Sequence, residues 1–507
     1  MKTIKADLIR KRKRRIKNRL QNSAAHDRGH PMLKGDKIAY ELAQKAGGTA
    51  YGGVAAIHRF AKKIGLPKRI DDALHLFKIH RPYHESDHVL NLAYNALCGG
   101  TCLEDIELRR NDESFLDSIG AERIPDPTTA GDFCRRFDPY HINRLQDAFD
   151  QVRLDIWQQQ DNAFFDQATI EMDGTIVETT GQCKEGMDIS YKGIWGYHPL
   201  VITLAETGEA LRLVNRSGNR PSQEGAAEQA DTAISLCRQA GFRRIVLRGD
   251  TAFTQTIHLD RWHRAGVKFT FGMKAYPGLV DIAENVQIDA WKQLPRSPKY
   301  APNTPDRDRP ENVKEQIVQL RGYPNKRLTS EWVTEVPYSP TDCKETYRLV
   351  ILCKELEVTK QGRLFDDCLY FFYLTNEAGD VLSTNDVVYA SNDRCDQEYI
   401  LAQLNQCRAL HAPVDNLESN WAYMVMTALS WNLKAWIGLS VPINGRWREQ
   451  HKQEGRAVIR MEFKQFVEQF VRLPAQIVRS GRQLVVRLLS WSESLHVFNR
   501  WVRFALE

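Results

Sequence analysis

The sequence predicts an α/β protein: a mixed sheet covered by helices, with a helical region before it and a strand-rich insertion inside it. Three patterns carry that expectation. Apolar residues fall at helical spacing through residues 53–163, as at Val54, Ile57, Phe60 and Ala61 and again at Val89, Leu90, Leu92, Ala93 and Ala96. Residues 168–272 read as three consecutive strands followed by alternating helices and strands, in the order β-β-β-α-β-α-β. Residues 275–367 are then dominated by strand signals broken by Pro, Gly and Asp turns.

At 507 residues the chain is too long for one core. Residues 1–50 read as a basic arm, flexible or partly helical, around Lys11-Arg12-Lys13-Arg14-Arg15. Residues 51–163 form the helical region, with a helix capped by Thr128 or Thr129 and closed by Asp132 as a capping box. Arg135 and Arg136 on that helix suit a DNA groove or a plain linker equally. The first part of the core, 164–274, holds strands at 168–179, 200–204 and 211–214, then a helix at 223–240. A strand at 244–248, a helix at 254–265 and a strand at 267–272 complete it. The insertion, 275–367, carries strands at 316–320, 330–336 and 347–352. A strand at 368–374 opens the second part of the core, 368–440. There a helix beginning near Thr384 or Asn392 runs to 410, and another spans 417–435. The C-terminal region, 441–507, should contain a helix at 461–471 and a basic strand pair turning at Ser480-Gly481. This succession is also the element order of the ribonuclease H-like fold.

Charge is distributed unevenly. The net charge is +6, yet residues 1–20 hold ten Lys or Arg against Asp7 alone, about +9, and residues 440–507 hold twelve against six acids. The middle is therefore about −9, from 6 − 9 − 6. Basic ends around an acidic middle suit a chain that grips a polyanion while gathering carboxylates elsewhere. The most apolar run, 420–441, is interrupted by Asn420, Asn432 and Lys434 and reads as a buried core helix, not a membrane span. No apolar leader follows the basic N-terminus, so secretion is not expected. The ten cysteines include no CxxC pair, and nothing near Cys98 and Cys102 completes a zinc set, so they read as buried thiols in a reducing cytoplasm.

The chemistry rests on acids in apolar settings. Asp173 lies on a core strand and is followed by Gly174, while Asp250 closes a second strand. Unpaired burial of a carboxylate is expensive, so such positions call for a reason. If the two strands are parallel neighbours, their ends bring the carboxylates together, where a cation between them relieves the repulsion. A third acid from a packed helix completes the oxygen set, with Asp393, Asp396 and Glu398 as candidates. Arg394 and Glu398 stand at i and i+4 and share a helix face, where the guanidinium can orient the acid or contact a phosphate. Two Mg²⁺ ions roughly 3.5–4 Å apart on such a set serve in-line attack on a phosphodiester, with no nucleophilic Ser or Cys required.

Several long strings carry a resemblance. They are Met172-Asp-Gly-Thr175, the stretches 181–200 and 213–226, Arg248-Gly-Asp-Thr251, and 420–433. Through them the chain resembles bacterial insertion-sequence transposases of the IS1380 type, within the IS4-like group of DDE transposases, over residues 53–489. The resemblance implies a ribonuclease H-like core with Asp173, Asp250 and Glu398 as catalytic, metal-binding acids. It implies two Mg²⁺ ions (Mn²⁺ substituting), an Arg-x-x-x-Glu helix motif in which Arg394 contacts DNA, and an insertion between the second and third acids. The IS4-like pattern has Tyr three residues before that Arg and Lys seven after the Glu; here Ser391 and Asn405 stand there.

It further implies a bacterial cytoplasmic, nucleoid-associated protein that binds its element's terminal inverted repeats as a homodimer, cuts both strands and joins the ends to target DNA. Related enzymes pass through a DNA hairpin with an aromatic stacked on an extruded base, for which Trp332 and Trp291 are candidates. Lys192, His198, Arg216 and Arg220, in loops beside the acids, and Arg479 and Arg482 in the tail are further candidate DNA contacts. Two other readings remain open: a catalytically silent end-binding protein, and a nuclease of the same fold that does not transfer strands.

Overall fold

The computed structural model describes residues 6–21, 47–80, 82–181, 183–296, 321, 325–360, 363–392, 395–480 and 483–506. A basic helix, α1 (Ala6–Gln21), comes first, then the short strand β1 (Gly47–Thr49). Seven helices follow: α2 (Val54–Lys63), α3 (Leu66–Ala73), α4 (Glu85–Leu97), α5 (Ile106–Arg110), α6 (Glu113–Ile119), α7 (Pro127–Cys134) and α8 (Pro139–Trp157). Helix α7 starts a turn earlier than its sequence suggested. Asp126, not a threonine, is its N-cap and accepts from the Thr129 amide at 2.8 Å, with Pro127 at the first helical position. Proline fits there because its φ is already helical and the N–H it lacks would have no partner.

The sheet begins with β2 (Ala168–Gly174), continues through β3 (Val177–Glu178), β4 (Asp188–Ile189), β5 (Trp195–Tyr197), β6 (Leu200–Leu204) and β7 (Glu209–Val214), and reaches α9 (Ala226–Ala240). Next come β8 (Ile245–Gly249), α10 (Thr256–Arg264), β9 (Lys268–Met273), α11 (Pro277–Glu284) and β10 (Lys292–Gln293). Three long strands, β11 (Asn325–Tyr338), β12 (Tyr347–Lys360) and β13 (Arg363–Thr375), lead to α12 (Thr384–Asn392) and α13 (Cys395–Gln406). The chain closes with α14 (Leu417–Leu439), α15 (Arg448–Arg460), α16 (Phe463–Phe466), β14 (Ala475–Ser480), β15 (Gln483–Leu488) and α17 (Leu495–Leu506). The strand expected at 316–320 lies outside the described residues.

Nine strands form one sheet in the order β10-β11-β12-β13-β9-β8-β2-β6-β7. Strands β2, β8 and β9 run parallel, and β6, β7 and β13 pair antiparallel to their neighbours. The strands of the expected insertion thus continue the core sheet, joined to it where β13 pairs with β9 through Phe372 and Met273. Alternation along β2 separates its two faces. Ala168, Ile170 and Met172 enter an apolar core with α9 and α10, whereas Thr169, Glu171 and Asp173 point to the opposite side.

On that opposite side, α14 is buried along nearly its whole length and packs against α4, α7, α8 and β7. It shares one apolar core with α2–α8 and the C-terminal helices. A buried polar cluster fixes it there. Glu209 on β7 accepts from Arg153 Nε (2.8 Å), Trp157 Nε1 (2.9 Å), Trp436 Nε1 (2.7 Å) and Thr207 Oγ1 (2.7 Å), so the carboxylate is fully satisfied despite zero exposure. Among the described residues, no helix is long and apolar enough to cross a membrane.

The two ends of the chain meet. Helix α1 lies against α17, and Arg12 donates to the carbonyls of Leu488 (2.8 Å) and Ser490 (3.1 Å). Lys13 sits over the Trp491 ring, and β1 pairs with β14 in a small sheet β1-β14-β15. The basic segments read separately in the sequence therefore adjoin one another.

Candidate active site

Sheet register brings Asp173 and Asp250 side by side. In the parallel pair β2–β8, Glu171 is opposite Arg248 and Met172 opposite Gly249, so the next step of the ladder sets Asp173 beside Asp250. Because side chains alternate, Glu171 and Asp173 share a face with Arg248 and Asp250. Asp173 Oδ1 accepts from the Gly174 amide at 2.8 Å. Asp250 Oδ1 accepts from the Ala252 amide at 2.8 Å and caps the single turn Thr251–Phe253, which explains why the strand ends at that residue. Behind the pair, Arg248 forms an ion pair with the fully buried Glu171. One carboxylate on this face is thereby neutralised internally.

The acid expected as the third, Glu398, lies on α13. Glu398 is exposed, and its neighbour Gln397 is completely buried against β2. In the orientation that satisfies both of its polar atoms, the Gln397 amide donates to the Met172 carbonyl (3.2 Å) and accepts from the Asp173 N–H (2.9 Å). One side chain thus grips the backbone of the residue that bears the first acid. A second tie runs from Arg248 Nη1 to the Ala390 carbonyl in α12, at 3.1 Å. Asp393 and Arg394 lie outside the described residues.

The three carboxylates do not lie within 4.8 Å of one another; among the described residues only His80, His84 and Glu85 form so tight a trio. A single-ion cage requires that closeness. Two ions some 3.5–4 Å apart, each about 2 Å from its ligands, accommodate a wider set of hard oxygens. The donor chemistry, carboxylates only, fits Mg²⁺ or Mn²⁺.

Gly174 makes room for a close approach. A β-carbon there would stand 2.8 Å from Nε2 of His198 and 3.3 Å from Nη2 of Arg216. Both were expected to reach DNA from exposed loops, and both are instead buried, which corrects that reading. Arg216 is occupied by backbone carbonyls, those of His198 (2.9 Å), Pro221 (3.2 Å), Ser222 (3.0 Å) and Glu224 (2.6 Å), and burial brings its pKa down to about 10. The His198 ring contacts the Arg220 carbonyl through Nδ1 at 2.9 Å, and burial lowers its pKa. Their role is to hold the 216–224 loop against the end of β2.

The other expected contacts divide. Lys192 and Arg220 are exposed, the latter 3.6 Å from Glu224. Arg136 is exposed over the Phe77 ring, whereas Arg135 is neutralised by Asp132 (2.7 Å) and Asp415 (3.0 Å) and acts as a strut. Arg479 is exposed beside Asp117, and Arg482 lies outside the described residues. Trp332 is half-buried on β11 with Nε1 donating to Ser330 Oγ. Four strands separate β11 from β2, on the order of 24 Å at ~4.8 Å per strand, so Trp332 stands away from the acids of its own chain. Trp291 packs against Tyr370.

Two aromatics nearer the site went unnoticed in the sequence. Tyr191 (76% exposed) and Trp195 (53%) project from the small sheet β3-β5-β4 that directly follows Asp173. The Tyr191 ring lies 6.4 Å from that of His198. The signal that could have found them is a hairpin with aromatics on a glycine-rich turn; Gly196 allows β5 to approach the Val177 carbonyl where a β-carbon would be 2.0 Å away.

A mixed sheet in this order, with two aspartates at register-matched ends of its parallel strands, is consistent with the ribonuclease H-like fold used by transposases. The chain belongs to the transposase family described as Transposase DDE domain group 1, whose model matches residues 42–504. No curated protein matches the chain. Among solved structures it is similar to a piggyBac transposase in a synaptic complex with hairpin DNA, seen by cryo-EM, at 11% identity and a TM-score of 0.35 over 83% of each chain.

Proposed function

We propose that this DDE transposase is an insertion-sequence enzyme of the IS1380 type that binds the terminal inverted repeats of its element and pairs them as a homodimer. It cuts both strands and joins the freed 3′-hydroxyls to target DNA. The observation that carries the reading is the Gln397 amide on the Asp173 backbone, because it docks the helix of Glu398 on the strand pair of Asp173 and Asp250. These three carboxylates would hold two Mg²⁺ ions, which when bound activate the attacking oxygen and stabilise the leaving one.

The protein's own contribution is positioning. Asp173 and Asp250 are aligned by the sheet, Arg248 keeps Glu171 from adding a free negative charge beside them, and Gln397 sets the reach of Glu398. In cleavage, water attacks the scissile phosphorus and the P–O3′ bond breaks, leaving a 3′-hydroxyl. In joining, that hydroxyl attacks a target phosphodiester and expels the target's own 3′-oxygen, so the number of phosphodiester bonds is conserved and no external energy source is required. Tyr191 and Trp195 supply flat, exposed surfaces beside the acids on which an extruded base could stack, a contact worth roughly 1–3 kcal/mol per base. Adjoining cations on α1 and near α17 supply phosphate contacts.

The test is incubation of the purified protein with linear DNA carrying the element's ends, in Mg²⁺ or in EDTA, followed by a denaturing gel. Metal-dependent nicks at the ends, lost in Asp173→Ala while end binding persists, are expected, and product mobility reports any hairpin. End binding without cleavage under Mg²⁺ or Mn²⁺ would overturn the proposal in favour of an end-binding regulator. Cleavage without joining would assign a nuclease.

A further inference from the structure

A second cluster of ligand-bearing side chains lies in the helical region, on elements separate from the carboxylates of the sheet. His80, His84 and Glu85 each offer one ligand atom, and these atoms all lie within 4.8 Å of one another. The imidazoles of His80 and His84 stack with ring centroids 4.4 Å apart and planes 5° from parallel. Glu85, the first residue of α4, is wholly buried although it is ionisable. Its Oε1 accepts from the amides of Leu76 (2.9 Å) and Phe77 (3.1 Å), which fixes the carboxylate and ties the loop before α4 to the helix start. Its Oε2 lies 3.1 Å from Nε2 of His80, an ion-pair distance when that imidazole is protonated.

A buried carboxylate oxygen is costly unless a cation satisfies it, and the neighbour of Oε2 is an imidazole, a cation only when protonated. The usual protein solution, an Arg or Lys in direct contact, is absent among the described residues around Glu85, and two imidazoles stand there instead. Two imidazole nitrogens and one carboxylate oxygen are the donor set of three-ligand divalent sites for borderline metals such as Zn²⁺. The hydrogen bonds from Leu76 and Phe77 to the non-ligating oxygen are the outer support such a ligand needs. His80 and His84 are exposed, so the fourth position opens to solvent.

From this geometry we propose that His80, His84 and Glu85 form a binding site for one divalent transition-metal ion of the Zn²⁺ class, separate from the carboxylate site on the sheet. A bound ion would clamp the loop between α3 and α4 on the helix start. That loop includes Phe77, which stacks on Phe133 of α7 and underlies Arg136. The ion would therefore stiffen the part of the helical region that presents Arg136.

The test uses the full-length chain carrying Asp173→Asn, stripped of metal by a chelator, so that ions on the sheet carboxylates do not dominate. Titration with Co²⁺ is read by visible absorption and with Zn²⁺ by calorimetry. One equivalent of each ion is expected, with the intense visible bands of a low-coordinate Co²⁺ site and a higher Tm when Zn²⁺ is saturating. Adding His84→Ala, an exposed position, should weaken binding on the order of 100-fold and remove the Tm gain. Adding Glu85→Gln, which retains an oxygen to accept from Leu76 and Phe77, should weaken it while leaving the fold intact. If the Asp173→Asn chain binds no Co²⁺ or Zn²⁺, or binds equally well after His84→Ala, the site is a histidine–glutamate pair only and the proposal fails. Neither result bears on the cleavage assay.

Discussion

The strand acids and the helix acid are held in place by different physics. Asp173 and Asp250 sit on adjacent parallel strands whose ladder fixes their separation, and a one-residue slip of either strand would turn its aspartate to the other face. Glu398 stands on α13, which reaches the sheet through one side-chain tie, Gln397 to the β2 backbone, while Arg248 ties the preceding helix α12 through the Ala390 carbonyl. Many cooperating hydrogen bonds enforce the first placement, and a few separable ones enforce the second. In the proposed set Glu398 is thus the adjustable member, and its position is the one that single substitutions outside the acids should disturb.

Asp173→Asn or Asp250→Asn should lower end cleavage by about 1000-fold or more, the scale of losing a group that stabilises transition-state charge, with binding to end DNA unchanged in a mobility-shift assay. Gln397→Leu should cost about 10- to 100-fold in cleavage rate, as loss of an outer support does, and Gln397→Glu should not restore it because a carboxylate cannot donate to the Met172 carbonyl. If Gln397→Leu cleaves as fast as the parent, the helix is held by packing alone and the contrast between the acids disappears. Arg248→Met should destabilise the fold by about 3–5 kcal/mol in urea unfolding, since it removes the ion-pair partner of the buried Glu171 carboxylate.

The smallest effect concerns the helix that anchors α13 from behind. Lys434 on α14 is buried, donates to the carbonyls of Ile459 and Met461, and has its pKa lowered by burial to about 7. The folded state therefore binds fewer protons than the unfolded chain between about pH 7 and the ordinary lysine value. Stability contributed by this residue accordingly rises with pH across that window and is lowest below it. Tm measured from pH 6.5 to 9 should climb in the parent relative to Lys434→Met; parallel curves would show that the lysine stays charged throughout.

Much of the core was legible because it depends on local pattern. Apolar runs interrupted or closed by an acid, at Asp173 and Asp250, mark two strands that lie side by side in parallel, and the β-β-β-α-β-α-β order of residues 168–272 fixes the centre of the sheet. What was hidden depends on distant partners. Nothing in residues 325–375 announces that β13 pairs with β9 and makes the insertion strands part of the same sheet. Arg216 and His198 look like loop cations until the chain folds their carbonyl partners over them. Gln397 is an ordinary polar residue in sequence, and only its seat on β2 gives it a task. At α7 the aspartate before Pro127 outcompetes the threonines as the cap, since Pro preorganises the first helical position.

The meeting of the two chain ends also has a timing. Arg12 and the Leu488 carbonyl it binds are 476 residues apart. A ribosome adding about 5–20 residues per second spends roughly half a minute to a minute and a half between them. Throughout that interval the cations of residues 6–21 exist without their docking surface. The nascent protein is a tethered, unshielded polycation before it is an enzyme, and nucleic acid close to the site of its synthesis is the first polyanion it meets.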